Sequence, residues 1–462
     1  METEYFRDHI PTVSKDGEHR QWMYPKLVVG KLYKLRSVLS WFFLALLFAS
    51  PFIRINGEQM VLLNVLERKF VFFGVLFLPQ DFHLFVLAML TFMVFIVLFT
   101  VVFGRIWCGW ACPQTIFMEM VFRKIEWWIE GDGEQQRRMN AASWTPKKIV
   151  KKGLKHFLFI ALSFLIANTF LAYFIGSDQL FKISSEPIEN HLIGFIAIWI
   201  FTTIFYLVFA NLRELVCTVI CPYGRLQGVL LDKQSLVVAY DYVRGEPRGN
   251  IKKGQENTFG DCVDCNLCVQ VCPTGIDIRN GTQLECTNCT ACIDACDMVM
   301  EKTHREKRLI GFNSEEFIRS GKKFTLNKRV YAYAAVLAVL VSITIYLLAT
   351  RTPVETTVLR AGGTLYQERP DGTVSNLYNA EFVNKTSGDI AFSLESTDPN
   401  YKIQTITQER LIKRGDILKL TFFLITNPKH IKTYKSDVTL HIVSKNKVVD
   451  KVETTFIAPP GE

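Results

Sequence analysis

Cys262-Val-Asp-Cys265-Asn-Leu-Cys268-Val-Gln-Val-Cys272-Pro273, followed by Cys286-Thr-Asn-Cys289-Thr-Ala-Cys292-Ile-Asp-Ala-Cys296, decides how the rest of the chain is read. Each run spaces its cysteines by two, two and three residues. In the two-cluster bacterial ferredoxin pattern, three close thiolates wrap one cubane and the fourth reaches the neighbouring cubane. The spacing therefore assigns Cys262, Cys265, Cys268 and Cys296 to one [4Fe-4S] cluster, and Cys272, Cys286, Cys289 and Cys292 to a second. Two four-cysteine zinc sites are the alternative. Zinc accepts paired Cys-x2-Cys hooks, but it does not call for three cysteines in a row with a crossed fourth. Cys296 is followed by Asp297 where the first run has Pro273. The proline shapes the backbone at the fourth ligand and supplies no ligand. Two cubanes with little protein between them suit one-electron relay rather than substrate chemistry.

All twelve cysteines fall in spaced motifs, so none is left for a scattered disulfide framework, and metal ligation is the expected use. The remaining pairs are Cys108-Gly-Trp-Ala-Cys112-Pro113 and Cys217-Thr-Val-Ile-Cys221-Pro222. Cysteines four apart share a helical face. The following proline disfavours helix at the second cysteine and suits the opening of a new helix. Each second cysteine is thus expected near a helix N-terminus, where the dipole favours thiolate. After Pro113, the run Ile116, Phe117, Met120, Val121 and Trp127 or Trp128 predicts an interfacial amphipathic helix. If the two motifs converge, four thiolates can hold a soft metal, either Cu(I) or an iron–sulfur cluster; spacing alone does not choose. Each pair could instead be an inert thiol pair, but the same motif occurring twice at equivalent places makes that the minority reading.

Hydrophobic residues make up 49% of the 462-residue chain, Phe alone contributing 36 residues, and they lie in long blocks. Five segments are long enough to span a bilayer: Ser37–Ile53, Leu84–Phe103, His156–Ile175, Leu192–Asn211 and Val330–Thr350. The formal charge of +9 is concentrated beside these blocks, which reads as membrane orientation rather than nucleic-acid binding. Arg7, Lys15, Arg20, Lys26, Lys31, Lys34 and Arg36 precede the first span. Arg123, Lys124, Arg137, Arg138, Lys147, Lys148, Lys151 and Lys152 separate the second and third, whereas only Lys182 lies between the third and fourth. The positive-inside rule places the N-terminus, the second-to-third loop and residues 212–329 in the cytoplasm, and the C-terminal part outside a bacterial inner membrane. No cleavable signal peptide is expected. Val61–Leu78 is apolar at its ends, but Glu67, Arg68 and Lys69 at its centre would each cost roughly 2.5–3.5 kcal/mol in a bilayer. It is read as an interfacial or partly buried segment.

Towards the C-terminus, Leu418, Leu420, Phe422 and Leu424, and then Val438, Leu440 and Ile442, alternate with polar or outward positions. Turn signals at Pro370-Asp371-Gly372, Ser387-Gly388-Asp389 and Asn427-Pro428 separate such runs, as in a β-sandwich. The expected fold is a multi-domain membrane protein: an α-helical five-span bundle with an inserted two-cluster ferredoxin segment and a C-terminal immunoglobulin-like β-sandwich. The divisions are a cytoplasmic arm (1–36), a four-helix core with both Cys-x3-Cys-Pro motifs (37–230), the ferredoxin-like domain (231–329), the fifth span (330–350) and a periplasmic β domain (351–462). His83 and His191 precede spans and could ligate haem in pairs, but they read as interfacial anchors. No Cys-x2-Cys-His, Gly-x-Gly-x2-Gly after a strand or Ser/His/Asp grouping stands out.

This combination resembles the CcoG family, also called FixG or RdxA, of cytochrome cbb3 oxidase accessory proteins. The polyferredoxin core is similar to that of NapH and NosR membrane proteins, and the C-terminal domain tips the resemblance towards CcoG. The resemblance implies a role in cbb3-type oxidase maturation, reducing Cu(II) to Cu(I), with copper at Cys108, Cys112, Cys217 and Cys221. Its implied partners are oxidase assembly factors or a copper chaperone or transporter; the electron donor does not show itself. Two other readings stand beside it: a relay from quinol or another donor with a third cluster on the membrane cysteines, and a copper-binding assembly scaffold without turnover.

Overall fold

The computed structural model describes residue 12 and residues 20–249, 259–321 and 328–459, without 364, 387, 407–410, 432 and 445–446. Arg7, Lys15 and Ser387 lie outside the described residues. Among the described residues, five helices are long and apolar enough to cross a membrane: α1 (Lys31–Ala49), α2 (Phe82–Phe103), α3 (Pro146–Ile175), α4 (Leu192–Leu207, continued by a wider turn to Leu212) and the last span (Lys328–Ala349). α1 ends just before Ser50, because the residue ahead of Pro51 is pushed out of helical geometry. α3 starts ten residues before its apolar part, carrying its lysines on extra turns outside the hydrocarbon.

The chain divides into two compact units. One comprises residues 1–49, 87–172 and 178–342, and the other residues 50–86, 173–177 and 343–462. In the first unit the core of the spans is aromatic. Phe122 is wholly buried, packed edge-on to Phe159 at 4.8 Å and stacked on Phe209 at 4.4 Å. Ile116, Phe117 and Met120 are buried too, while Trp128 is exposed. The segment after Pro113 is therefore inserted among the helices rather than lying in the interface. Its apolar side chains have α1, α3 and α4 to pack against, a gain that periodicity alone does not reveal.

The same unit contains the ferredoxin-like segment. The strands Val237–Tyr240 and Ile310–Asn313 pair antiparallel and bracket the cysteine loops. α5 (Ala291–Lys302) follows the second cysteine run. Its Asp294 accepts hydrogen bonds from the Leu32 and Tyr33 backbone amides at 3.2 and 2.7 Å, capping the open N-terminus of α1. The cluster helix is thereby fastened to the first span.

The second unit is a β-sandwich. One sheet orders the strands Lys402–Thr405, Ile417–Thr426, Val374–Asn384 and Val354–Arg360; the other orders Ser393–Ser396, Lys435–Ser444 and Lys447–Ile457. Leu420, Phe422, Leu424, Val438, Leu440 and Ile442 point into the shared core, as their alternation predicts. Tyr378 ties the sheets by donating from its hydroxyl to the Thr455 carbonyl at 2.8 Å.

Val61–Leu78 forms a three-stranded antiparallel meander in this unit, Val61–Asn64, Lys69–Phe72 and Val75–Phe77, instead of an interfacial segment. Glu67 and Arg68 fall in the first turn, and Lys69 pairs with Glu58 at 2.8 Å, while Leu62, Val71, Leu76 and Leu78 pack with Val383. Of the central charges that forbid a span, Glu67 and Arg68 are turn residues here and Lys69 opens the next strand.

Asp81, 2% exposed, pairs with Lys385 at 2.6 Å and Arg351 at 2.5 Å. Burial alone would raise its carboxyl pKa, but the two cations outweigh it and hold the group below the usual carboxylate range. A depressed folded-state pKa stabilises above the unfolded pKa and is lost as pH falls through the folded one. Asp81→Asn should therefore destabilise this unit by roughly 3–5 kcal/mol at neutral pH. Thermal unfolding followed against pH should show wild type and variant converging below about pH 4.

Candidate electron-transfer site

The two cysteine runs enclose two adjacent cavities. One is lined by Cys268, Cys272, Cys286, Cys289 and Cys292; the other by Cys262, Cys265, Cys268 and Cys296. Each quartet named from spacing borders one cavity, and Cys268 borders both. Matching residues shape the two loops: Asp264 and Asn266 flank Cys265 at φ 51° and 55°, and Asn288 and Thr290 flank Cys289 at φ 53° and 66°. Left-handed conformations at four non-glycine positions carry strain, and they curl the chain around each cavity.

These donors fit iron–sulfur clusters. Burial pushes the Cys268, Cys286 and Cys296 thiols up to about 12, so that they hold protons unless a cation sits among them. Bound metal supplies that charge and deprotonates a thiol outright. Among the described residues, no three His, Cys, Asp or Glu side chains converge closely enough to hold one metal ion. That spread disfavours mononuclear zinc and suits a cubane, whose four ligands each bind a different corner. Cys265 is exposed, whereas Cys268 is buried. The edge of the segment at Cys265 is thus open to solvent.

The two Cys-x3-Cys-Pro motifs come together. Burial raises the thiols of Cys108, Cys112 and Cys217, and each also feels other cysteines of the set: Cys108 feels Cys112 and Cys221, Cys112 feels Cys221, and Cys217 feels Cys112 and Cys108. Cys112 and Cys221 are extended residues that open the helices starting at Pro113 and Pro222, as the prolines predict. The Cys108 thiol donates to Gln227 Oε1 at 2.9 Å, and Gln227 Nε2 donates to Thr100 Oγ1 at 3.2 Å. Gln227 is fully buried. A lone glutamine carries no sequence signal, which is why it is absent from the motif reading.

Cys217 lies in a stretch of wider, π-helical turns (Val216–Ile220), and two more follow Cys112 (Ile116–Phe122) and end α4 (Val208–Leu212). Such turns concentrate at functional sites. Between them, buried charges lock the two halves. Arg213 forks onto Glu126 at 3.0 and 2.7 Å, Lys155 reaches Glu130 at 2.9 Å, and Arg123 pairs with Glu119 at 3.1 Å and with Glu214.

The membrane-edge motif also abuts the ferredoxin loop. A methyl group on Gly109 would lie 2.5 Å from the Thr287 carbonyl oxygen, so only glycine allows this approach. Trp110 Nε1 donates to the Asn288 carbonyl at 3.2 Å. Thr287 and Asn288 separate Cys286 from Cys289, which places the second quartet beside the membrane cysteines. His83 is exposed and His191 pairs with Glu186 at 2.8 Å.

Comparison with known proteins agrees with this layout. Residues 212–315 match a 4Fe-4S dicluster domain, residues 85–131 a 4Fe-4S binding domain, and residues 344–459 the Ig-like fold at the C-terminus of FixG. The nitrogen fixation protein FixG of Rhizobium meliloti is 37% identical over 64% of this chain and 57% of its own length. From Cereibacter sphaeroides, RdxA is 33% identical over 73% of both chains, and RdxB is 31% identical over 81% of this chain and 84% of its own. A solved FixG-related protein from Vibrio parahaemolyticus covers 24% of this chain at 22% identity and a TM-score of 0.21. A membrane-helix core, a dicluster segment and a FixG-type C-terminal fold, with relatives of this identity and coverage, place the chain in the FixG/CcoG family of membrane iron–sulfur electron-transfer proteins.

Proposed function

We propose that this protein passes single electrons from its ferredoxin segment to copper held by Cys108, Cys112, Cys217 and Cys221, reducing Cu(II) to Cu(I). The carrying observation is the seam at Gly109, where the membrane motif touches the loop between Cys286 and Cys289. The clusters, when bound at the two quartets, supply one-electron reduction. The chain's own residues do the rest. They keep Cys108 buried and the other three membrane thiols half-buried, hold them within electrostatic reach of one another, and offer the soft donors that favour Cu(I) over Cu(II). Copper is substrate here; because no three of these thiols converge on one point among the described residues, a cuprous ion in transit is held by two of the four at a time.

Charge asymmetry of the loops supports a cytoplasmic ferredoxin segment and a periplasmic β domain in a bacterial inner membrane. The family's link to cbb3-type oxidases makes oxidase assembly factors, or a copper chaperone or transporter, the partners in this reading, with the β domain as their dock. Replacing Cys217 and Cys221 by serine should reduce Cu(I) formation at least tenfold under a chemical reductant. The low-temperature EPR signals of the ferredoxin segment should persist. Unchanged Cu(I) formation in that variant removes copper from the site.

A second reading has its own support: residues 85–131, which contain Cys108 and Cys112, match a 4Fe-4S binding domain. In that reading the four membrane cysteines hold a third cluster, and the protein feeds another membrane redox enzyme. Metal analysis of anaerobic protein separates the two, with about eight irons plus bound copper in the first and about twelve irons in the second.

A further inference from the structure

Arg105, three residues before Cys108, is 3% exposed. Its Nη1 donates to the carbonyl of Leu284, two residues before Cys286, and its Nε has no partner. Gly224, three residues past Cys221, leaves room for the guanidinium; a Cβ there would lie 2.8 Å from Nη2. Among the described residues no carboxylate pairs with Arg105. Arg279, which lines the cavity of Cys262, Cys265, Cys268 and Cys296, differs: it pairs with Asp264 at 2.5 Å and Asp277 at 2.6 Å.

A buried cation without a counter-ion costs several kcal/mol. The groups facing Arg105 that can become anionic are cysteines, Cys108 and Cys217 on one side and Cys286 on the other, each a thiolate once metal binds. We propose that Arg105 is the shared counter-cation of the membrane-edge thiolates and the Cys272/Cys286/Cys289/Cys292 centre, and that this centre is the one that reduces the metal at the membrane edge. With a cluster held by Cys272, Cys286, Cys289 and Cys292 as one-electron donor and metal held among Cys108, Cys112, Cys217 and Cys221 as its acceptor, Arg105 would face both, and its own charge would not change. A one-electron donor docking at the exposed Cys265 side would resupply that electron. Added negative charge on either side of Arg105 is favoured by its fixed positive charge, so this positioning residue raises the electron affinity of both. The centre beside Arg279 keeps its own potential, since two carboxylates already neutralise that arginine.

The test is an anaerobic redox titration of the full-length protein, followed by low-temperature EPR, for wild type, Arg105→Gln and Arg105→Lys. In Arg105→Gln one cluster signal should move to a more negative midpoint potential and the other should stay. Arg105→Lys keeps the charge and should lie nearer wild type. Two unshifted signals with full iron content overturn the proposal. So does a lysine variant displaced as far as glutamine, or iron loss in both variants, because either assigns Arg105 to fastening Leu284 alone. The proposal rests on the membrane cysteines holding metal. A wild type without metal there sinks that reading, whereas bound metal with unshifted potentials in Arg105→Gln sinks only the role of Arg105.

Discussion

Replacing Cys296 with alanine should empty the site built by Cys262, Cys265 and Cys268, although Cys296 belongs to the other cysteine run. Iron content should fall from about eight to about four per chain in protein whose membrane cysteines carry no iron. One of two EPR signals should vanish. The expectation follows from the cavity that Cys296 borders, which it shares with the first run and not with its own. α5 turns Cys292 and Cys296 towards different cavities, with the fully buried Ile293 fixing the helix between them. Alanine is a strong helix former, so α5 itself should survive the change. Cys272→Ala should produce the complementary loss, since Cys272 lines the cavity of Cys286, Cys289 and Cys292. If either variant lost the cluster of its own run and kept the other, the crossed arrangement would be wrong.

That crossing is legible from sequence because thiolate chemistry tolerates few spacings. Eight cysteines at fixed intervals leave the chain one economical way to wrap two cubanes. The five spans are legible for a similar reason, since a bilayer demands long apolar runs. Where the chain has a choice of partner, the sequence is less decisive. Ile116, Phe117 and Met120 present an apolar stripe, and a stripe does not say whether lipid headgroups or other helices cover it. In Val61–Leu78, three adjacent charges exclude a span, yet whether they lie in a helix face or a turn depends on strands far along the chain. Val383, which completes that small core, is over three hundred residues from Leu62. Gly109, Gln227 and Arg105 act through contacts across the fold, and a single glycine, glutamine or arginine has no pattern to betray it.

The same holds for the buried charges between the two halves, where the largest effect on stability is expected. Arg213 adopts φ 52°, a left-handed conformation that costs a non-glycine residue of the order of 1–3 kcal/mol. Its two hydrogen bonds to Glu126 hold it there, between the wide turn that ends α4 and the one carrying Cys217. Arg213→Met removes the fork and, among the described residues, leaves Glu126, 2% exposed, with Lys155 at 3.6 Å as its remaining ion-pair partner. Stranding one partner of a buried pair costs roughly 3–5 kcal/mol, which should appear as a large drop in the thermal midpoint in detergent. The released backbone at residue 213 should also shift Cys217 away from Cys108 and Cys112. Metal at the membrane edge should therefore be lost while both ferredoxin signals remain. Adding Glu126→Leu should recover much of the stability, because no charge is then left buried alone. It should not recover the metal, because nothing then holds Arg213's position in its strained conformation. A double variant that regained both would show that the pair matters only for its charge, and one that regained neither would place the strain elsewhere in the two turns.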